Sequence, residues 1–304
     1  MNTPNTTPTD TPQAAAPKGN FLAVLCVLGA ASLWGATGFF NRQISALGIS
    51  ASSAVSVRNV GACILLVVFF LVTNRSVFRI KLRHLPLFLA MGLISIMLFS
   101  LVYFSSQRES SLAVAAILLY TAPTFVVILS TLIFRDKFTK RKLAALVIAF
   151  LGCTFVAGIW GGGLSITPKG LLLGLGSGLF YASYSIFGRV ALRHYQPLTV
   201  TLYTFLVGGI GSCFLLEPES VSAFAASPKA ILLGLGLAIF STILPYMLYT
   251  KGLNDLGDSG KASILASVEP VVAAIIGILA FGEPLTLGVI LGLVCILISV
   301  YILR

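Results

Sequence analysis

Residues 262–284 read ASILASVEPVVAAIIGILAFGEP, and residues 262–281 form an apolar stretch long enough to cross a bilayer as one helix. Within that stretch Glu269 is the only acid. It lies eight residues after Lys261, which places it about 12 Å into a hydrocarbon core of about 30 Å. A carboxylate at this depth costs several kcal/mol unless it is paired, solvated or protonated. The stretch therefore predicts a membrane helix with a functional acid near its centre.

A proline follows this acid directly, and a proline inside a helix removes one backbone hydrogen bond. Besides Pro270 in this stretch, Pro123 lies at the corresponding point of another apolar stretch, residues 112–134. Interrupted helices near the midplane of both halves of a chain are typical of a transport site. We therefore predict helix breaks at Pro123 and Pro270.

The composition of the whole chain is that of a membrane protein. Of its 304 residues 57% are hydrophobic and only 10% are charged, and the mean hydropathy is +1.01, whereas soluble proteins have about 25% charged residues. This composition excludes a soluble globule and a disordered chain. Because a membrane helix needs about 20 apolar residues, we predict an all-α polytopic protein with ten transmembrane helices at residues 21–40, 54–72, 85–104, 112–134, 143–160, 170–188, 198–216, 231–249, 262–281 and 287–303.

The second half of the chain matches the first when the sequence is shifted by 147 residues. The matched pairs are Pro123 and Pro270, Phe134 and Phe281, Asp136 and Glu283, Thr139 and Thr286, and Arg42 and Arg189. Five spans per half is an odd number, so the second half enters the membrane from the opposite side. We therefore predict a disordered tail at residues 1–20 and two inverted five-helix repeats at residues 21–160 and 161–304, an arrangement found in secondary transporters.

The loops differ in their content of basic residues, which sets the expected orientation. Arg42, Arg108, Lys169 and Lys229 fall on one side of the ten spans, Arg58 falls inside the second span, and all remaining Lys and Arg fall on the other side. Cytoplasmic loops carry the excess of Lys and Arg, so both termini are predicted to be cytoplasmic. Orientation in the membrane explains the net charge of +11 without a nucleic-acid partner.

The ordered set of these features resembles the EamA family of the drug/metabolite transporter superfamily. The resemblance rests on ten spans in two halves, Arg58 near the start of span two, the pair Glu269-Pro270, residues 281–284 (Phe-Gly-Glu-Pro) and an apolar last helix that contains glycine. It implies a bacterial inner-membrane carrier of amino acids, amines or other small metabolites, often an exporter.

Glu269 and Arg58 are the two charges predicted to lie inside the membrane. Small residues recur on the helix face of Glu269, so this face is expected to contact protein or a cavity rather than lipid. Glu269 is then a proton-coupling group, the counter-charge of a cationic substrate, or a structural acid. Arg58 either extends to the outer interface or binds a substrate carboxylate. If both residues line one cavity, a zwitterion such as an amino acid is the expected substrate.

Aromatic residues inside the spans are the remaining candidates for substrate contact. They either pack in the core or stack on a substrate and hold an ammonium group by cation–π attraction. The candidates are Trp34, Tyr103, Tyr120, Phe180, Tyr181, Tyr184 and Tyr246.

Sites for other chemistry are not indicated by the sequence. The cysteines and histidines do not have the spacing of a metal set, and no nucleotide loop or hydrolase motif is present. We therefore expect a transporter that is not an enzyme and has no cofactor. The expected function is export of small metabolites, most plausibly amino acids, by alternating access around a central cavity with the lipid bilayer as surroundings. The alternatives are an importer of a quaternary amine such as choline, or a channel-like facilitator.

Overall fold

The computed structural model describes residues 20–110, 112–158, 167–216 and 218–303, and within these ranges the regular elements are all helices. The predicted tail at residues 1–20 lies outside them except for Asn20. The all-helical fold predicted from the sequence is therefore confirmed for the described part of the chain.

The first half contains eight α-helices, and some neighbouring pairs of them run on as one longer helical rod. A π-helix at Leu93–Leu98 joins α4 to α5, and a two-residue interruption separates α6 from α7. The helices are α1 (Asn20–Gly35), α2 (Thr37–Ser45), α3 (Ala51–Thr73), α4 (Leu85–Gly92), α5 (Phe99–Glu109), α6 (Leu112–Leu119), α7 (Ala122–Phe134) and α8 (Lys140–Val156).

The second half also contains eight α-helices. A π-helix at Ile239–Ile243 joins α12 to α13, and a 3-10 turn at Ala266–Val268 joins α14 to α15. The helices are α9 (Pro168–Leu192), α10 (Pro197–Cys213), α11 (Pro218–Ala226), α12 (Pro228–Ala238), α13 (Leu244–Leu256), α14 (Ser259–Leu265), α15 (Glu269–Phe281) and α16 (Leu287–Leu303).

Seven helical stretches in the described ranges are long and apolar enough to cross a membrane by length and composition. They are Phe21–Ser45, Ser52–Thr73, Leu82–Glu109, Val114–Phe134, Pro168–Leu192, Pro228–Leu256 and Ser259–Phe281. Two shorter apolar helices, Pro197–Cys213 and Leu287–Leu303, accompany them, and α8 has 17 residues that begin with a Lys-Arg-Lys run. The chain is thus a multi-pass membrane protein, and the count of ten spans stays a prediction.

Several predicted span boundaries were wrong because the helices do not begin and end where the apolar runs do. The second span begins at Ala51 instead of residue 54, where the Ser50 side chain accepts a hydrogen bond from the Ser53 backbone N–H. The first span continues through α2 to Ser45, well past residue 40. The fifth span was predicted to end at residue 160, which lies outside the described residues, and α8 ends at Val156.

Helix packing between the two halves is symmetric. Helix α1 of the first half lies against α13 and α15 of the second half, and α9 of the second half lies against α5, α6 and α7 of the first half. The pairs α3 with α10, α8 with α16 and α7 with α14 also join the halves. Gly152 and Gly292 allow the close approach of α8 and α16, since a Cβ atom added at Gly292 would lie 2.7 Å from the Gly152 carbonyl oxygen.

The outer surface of the bundle is apolar, and its charged groups gather at two ends. Leu172, Phe214 and Leu279 are among the most exposed side chains, at 74%, 85% and 81%, as expected for a surface that faces lipid. One end carries the ion pairs of Arg42 with Glu283 and of Lys169 with Glu109. The opposite end carries the ion pairs of Arg189 with Asp136 and of Lys142 with Asp258. We call these the Arg42 end and the Arg189 end.

Candidate functional site

A cavity of about 710 Å³ lies in the middle of the bundle. Its wall includes Arg42 and Ser45, two exposed residues of α2, so it opens at the Arg42 end. Its volume is within the range of about 300–1,000 Å³ that is typical of small-molecule sites. Of the candidates named from the sequence, the cavity is lined by Trp34, Arg58, Tyr103, Tyr120, Tyr181, Tyr246 and Glu269.

Both interrupted helices bring their irregular segments to this cavity. α6 ends at Leu119 and α7 begins at Ala122 with Pro123 in its first turn, while α15 begins at Glu269 with Pro270 in its first turn. A proline fits the first turn of a helix because the backbone N–H there has no partner within the helix. The two prolines therefore start new helical segments at the positions where breaks were predicted.

Glu269 is the first residue of α15, where the positive end of the helix dipole favours a carboxylate. Helix α1 approaches this point closely, because a Cβ atom added at Gly35 would lie 2.7 Å from the Glu269 carbonyl oxygen. A second glycine contacts the matching break, where a Cβ atom added at Gly178 would lie 3.0 Å from the Leu118 carbonyl oxygen. The carboxylate is thus held at a helix start, beside a tightly packed neighbour.

Arg58 lies deeper than the sequence suggested, because α3 begins three residues earlier than predicted. The residue falls in the second turn of α3 and lines the cavity, and its Nε is buried without a hydrogen-bond partner. Among the residues that the structure describes, no ion pair joins Arg58 to Glu269. Arg58 and Glu269 therefore share the cavity wall without neutralising each other by direct contact.

Aromatic rings form the floor of the cavity toward the Arg189 end. The Trp34 ring lies 5.1 Å from the Tyr246 ring, 5.3 Å from the Tyr249 ring and 6.3 Å from the Tyr181 ring, measured between centroids. The Tyr184 ring lies 5.0 Å from the Tyr246 ring. These rings separate the cavity from the helices below it.

Two of the aromatic candidates are not in the cavity wall. Tyr184 is 4% exposed, and its hydroxyl shares a hydrogen bond of 2.6 Å with the Thr250 hydroxyl beneath the floor. Phe180 precedes Tyr181 by one residue, so it is rotated by about 100° around α9 and does not line the cavity. The structure thus places Tyr184 in helix packing and Phe180 outside the cavity wall.

Asn41 and Gln107 are polar residues of the wall that were not among the candidates named from the sequence. Asn41 lines the cavity with a buried Oδ1 that has no hydrogen-bond partner, and Gln107 lines it near the Arg42 end. Both lie beyond the predicted ends of their spans, so they were treated as loop residues. Helical spacing would have found Asn41, because residues 34, 37, 41 and 45 all line the cavity from one side of the stretch formed by α1 and α2.

At the Arg189 end, the bundle is closed by a triad of side chains. Arg189 donates hydrogen bonds of 2.5 and 3.0 Å to Asp136 and lies over the Phe134 ring at 4.3 Å from its centroid. The two charged side chains are only 19% and 14% exposed. This triad joins α9 of the second half to the end of α7 in the first half.

At the open end, the three positions that match this triad under the 147-residue shift form the same contacts. Arg42 donates a hydrogen bond of 2.6 Å to Glu283 and lies over the Phe281 ring at 4.2 Å from its centroid. Here the charged side chains are 55% and 50% exposed. The two ends therefore carry the same chemical arrangement, buried where the bundle is closed and exposed where the cavity opens.

Comparison with known proteins identifies the family. The model of the EamA-like transporter family matches residues 21–158 and again residues 168–304. The uncharacterized inner membrane transporter YicL of Salmonella typhimurium is 29% identical over 288 residues, covering 92% of this chain and 94% of its own, and the uncharacterized transporter YyaM of Bacillus subtilis is 25% identical over 91% of each chain.

A further relative agrees with this assignment, and a solved structure shares the fold. An uncharacterized transporter of Archaeoglobus fulgidus is 31% identical over 205 residues, which cover 66% of this chain and 70% of its own. A crystal structure that is 16% identical covers 92% of this chain and 95% of its own with a TM-score of 0.78, which shows a shared fold. The chain belongs to the EamA-like transporter family and is a multi-pass membrane transporter.

Proposed function

We propose that this protein is a secondary carrier for small zwitterionic metabolites, most plausibly amino acids. The observation that carries the proposal is the presence of Arg58 and Glu269 in one cavity without direct pairing. A carboxylate of the substrate would accept hydrogen bonds from the guanidinium, and its ammonium group would lie beside the glutamate. Charge-assisted hydrogen bonds of this kind are about twice as strong as neutral ones.

The unpartnered groups of the wall support a polar substrate. Arg58 Nε and Asn41 Oδ1 are both buried without a partner in the described protein, and a buried polar group without a partner costs free energy. A bound zwitterion would supply an acceptor to the first and a donor to the second. The rings of Tyr103, Tyr120 and Tyr181 would contact its remaining surface.

Alternating access in ten spans with two inverted halves is part of the proposal. It is supported by the two matches of one family model, by the symmetric helix contacts between the halves, and by the two Arg–acid–Phe triads at opposite ends. A cavity open at one end and closed at the other by buried rings and an ion pair is what one state of such a cycle requires.

The distribution of charged residues supports a proposed direction of transport and a proposed coupling to protons. The excess of Lys and Arg at the Arg189 end supports a cytoplasmic location for that end and for both termini. The open end then faces outward, and we propose export across a bacterial inner membrane, with Glu269 exchanging a proton when the substrate leaves.

Transport of a quaternary amine such as choline, or facilitation through a channel, is the alternative. Glu269 and the rings would suit an amine, but Arg58 in the same cavity would repel it. A channel needs no closed end, whereas the described structure has one.

Counterflow in liposomes separates these functions. The purified protein is reconstituted, the vesicles are loaded with amino acids, amines or sugars, and entry of the labelled compound is followed with and without a pH gradient. We expect saturable counterflow of amino acids. Counterflow of choline alone would support the amine importer, and unsaturable flux of many solutes would support a channel.

A further inference from the structure

A side chamber of about 210 Å³ adjoins the cavity between α3, α5 and α10. The two spaces share Val55, Ser100 and Phe104 as lining residues, so the chamber lies directly beside the cavity with these side chains between them.

The chamber wall contains a buried amide with one unused group. Asn59 is 1% exposed, and its Nδ2 donates a hydrogen bond of 3.1 Å to the Ser212 hydroxyl on α10. Its Oδ1 is buried and has no hydrogen-bond partner. A buried carbonyl without a partner costs free energy, which a ligand that donates a hydrogen bond would recover.

Three serine hydroxyls of the chamber can only accept further hydrogen bonds. Ser56 donates to the Ser52 carbonyl at 3.2 Å, Ser100 to the Ile96 carbonyl at 2.7 Å, and Ser105 to the Leu101 carbonyl at 2.8 Å. A hydroxyl has one hydrogen to donate and two lone pairs. With these hydrogens already engaged, the inner wall of the chamber presents acceptors.

The position of Asn59 connects the chamber to the proposed binding of the substrate backbone. Asn59 follows Arg58 in α3, and successive residues of a helix point about 100° apart, so Arg58 lines the cavity while Asn59 lines the chamber. A substrate held by its carboxylate at Arg58 would therefore have its side chain beside the residues that the cavity and the chamber share.

We propose that the chamber is a specificity subsite that selects amino acids with an uncharged side chain ending in a carboxamide or hydroxyl, and that Asn59 Oδ1 accepts the hydrogen bond from that group. This inference rests on the proposed function. A cationic side chain is disfavoured because Arg108 lines the same chamber. Arg108 would instead donate to the carboxamide oxygen, so both ends of that group would be satisfied.

The test compares side chains of similar length in liposome counterflow. Wild-type protein is assayed with L-glutamine against L-norleucine and with L-serine against L-alanine. We expect at least a tenfold preference for the polar member of each pair, and a preference that falls close to one in Asn59→Leu. Equal rates for both members in the wild type would overturn the subsite.

Two further variants separate recognition from structure. Ser212→Ala removes the same hydrogen bond between α3 and α10 from the other partner and leaves the Asn59 carbonyl in place. It should keep the preference, and a loss equal to that of Asn59→Leu would show that Asn59 only joins the helices. Asn59→Asp keeps the shape and adds a negative charge, so it should gain counterflow of L-ornithine. This variant keeps the proposal testable if Asn59→Leu does not fold. An unchanged substrate profile in Asn59→Asp would then contradict the proposal.

These outcomes distinguish failure of the subsite from failure of the proposed function. Counterflow of amino acids without a preference for polar side chains would refute the subsite and leave the proposed function intact. Absence of counterflow for every amino acid would refute both.

Discussion

In the proposed transport cycle, replacing Arg189 by alanine should shift the protein from the conformation that is open at the Arg42 end, the proposed outward-open state, to the inward-open state that is open at the Arg189 end. The residue holds the closed end together through two hydrogen bonds to Asp136 and contact with the Phe134 ring. If the closed end separates when the cavity opens to the other side, these contacts stabilise only the outward-open conformation. Their loss should therefore favour the opposite state.

The expected size of the shift follows from burial. The Arg189 pair is 19% and 14% exposed, and hydrogen bonds to charged groups contribute about 1.5–3 kcal/mol, which corresponds to about a ten- to 150-fold change in the equilibrium constant. The matching pair at the open end, Arg42 with Glu283, is 55% and 50% exposed. Surface pairs contribute about 0.2–1 kcal/mol, so the Arg42 pair stabilises the present conformation by about fivefold at most.

The proposed inversion of the two halves also predicts that Arg42→Ala and Arg189→Ala shift the conformational equilibrium in opposite directions. In the inward-open conformation the Arg42 end should adopt the closed arrangement that the Arg189 end has here. Arg42→Ala should therefore favour the outward-open state, while Arg189→Ala disfavours it.

Labelling of a single cysteine in the cavity measures this equilibrium. Gln107→Cys is introduced in a protein whose five native cysteines have been replaced, and a membrane-impermeant thiol reagent is added from the outside of cells. Labelling should slow at least severalfold in Arg189→Ala and should not slow in Arg42→Ala. The charge-swapped double variant Arg189→Asp with Asp136→Arg is the control, because it restores a pair of opposite charges. Equal changes of the same sign in both single variants would refute the reasoning.

Further predictions concern the substrate site, helix packing and topology. Glu269→Gln keeps the shape but not the charge, so counterflow should fall by about ten- to 150-fold and lose its dependence on a pH gradient; counterflow equal to that of the wild type, with the same dependence on pH between pH 5 and 8, would argue against a coupling role. Arg58→Lys replaces a planar donor by a point charge and should raise the half-saturating substrate concentration at least tenfold; an unaltered value would exclude contact with the substrate carboxylate. Gly292→Ala places a Cβ atom 2.7 Å from a backbone oxygen of α8 and should lower the stability in detergent by about 1–3 kcal/mol, seen as a reduced melting temperature; an unchanged melting temperature would contradict this packing. Cysteines placed in residues 136–141 and 251–261 should label from the same, cytoplasmic side, and labelling from opposite sides would refute the topology.

The helical fold could be predicted because long apolar runs allow few alternatives in a membrane. Each run must satisfy its own backbone hydrogen bonds, so the span containing Glu269 had to be helical. Its break at Pro270 followed from the missing N–H of proline. The π-helices Leu93–Leu98 and Ile239–Ile243 could not be predicted, since their sequences are ordinary apolar runs and their geometry is set by packing.

Charged residues of the cavity wall could be identified in the sequence because their burial is costly, whereas polar residues with an ordinary sequence signal could not. Arg58 and Glu269 were recognisable because charges are rare inside spans. Asn41 was not, because its helix continues beyond the apolar run and an asparagine near a span end is common. Tyr184 looked the same as Tyr181 in sequence, and only the hydrogen bond with Thr250 distinguishes them.

The central claim is that the cavity binds both ends of a zwitterion, and blocking the ends one at a time tests it most directly. Liposomes containing the wild-type protein are loaded with a mixture of L-amino acids, and counterflow of the labelled mixture is measured in competition with the same amino acids as N-acetyl derivatives or as methyl esters. We predict inhibition by the free amino acids and none by either blocked form. Equal inhibition by the free and blocked forms, or counterflow of choline without that of any amino acid, would contradict the account.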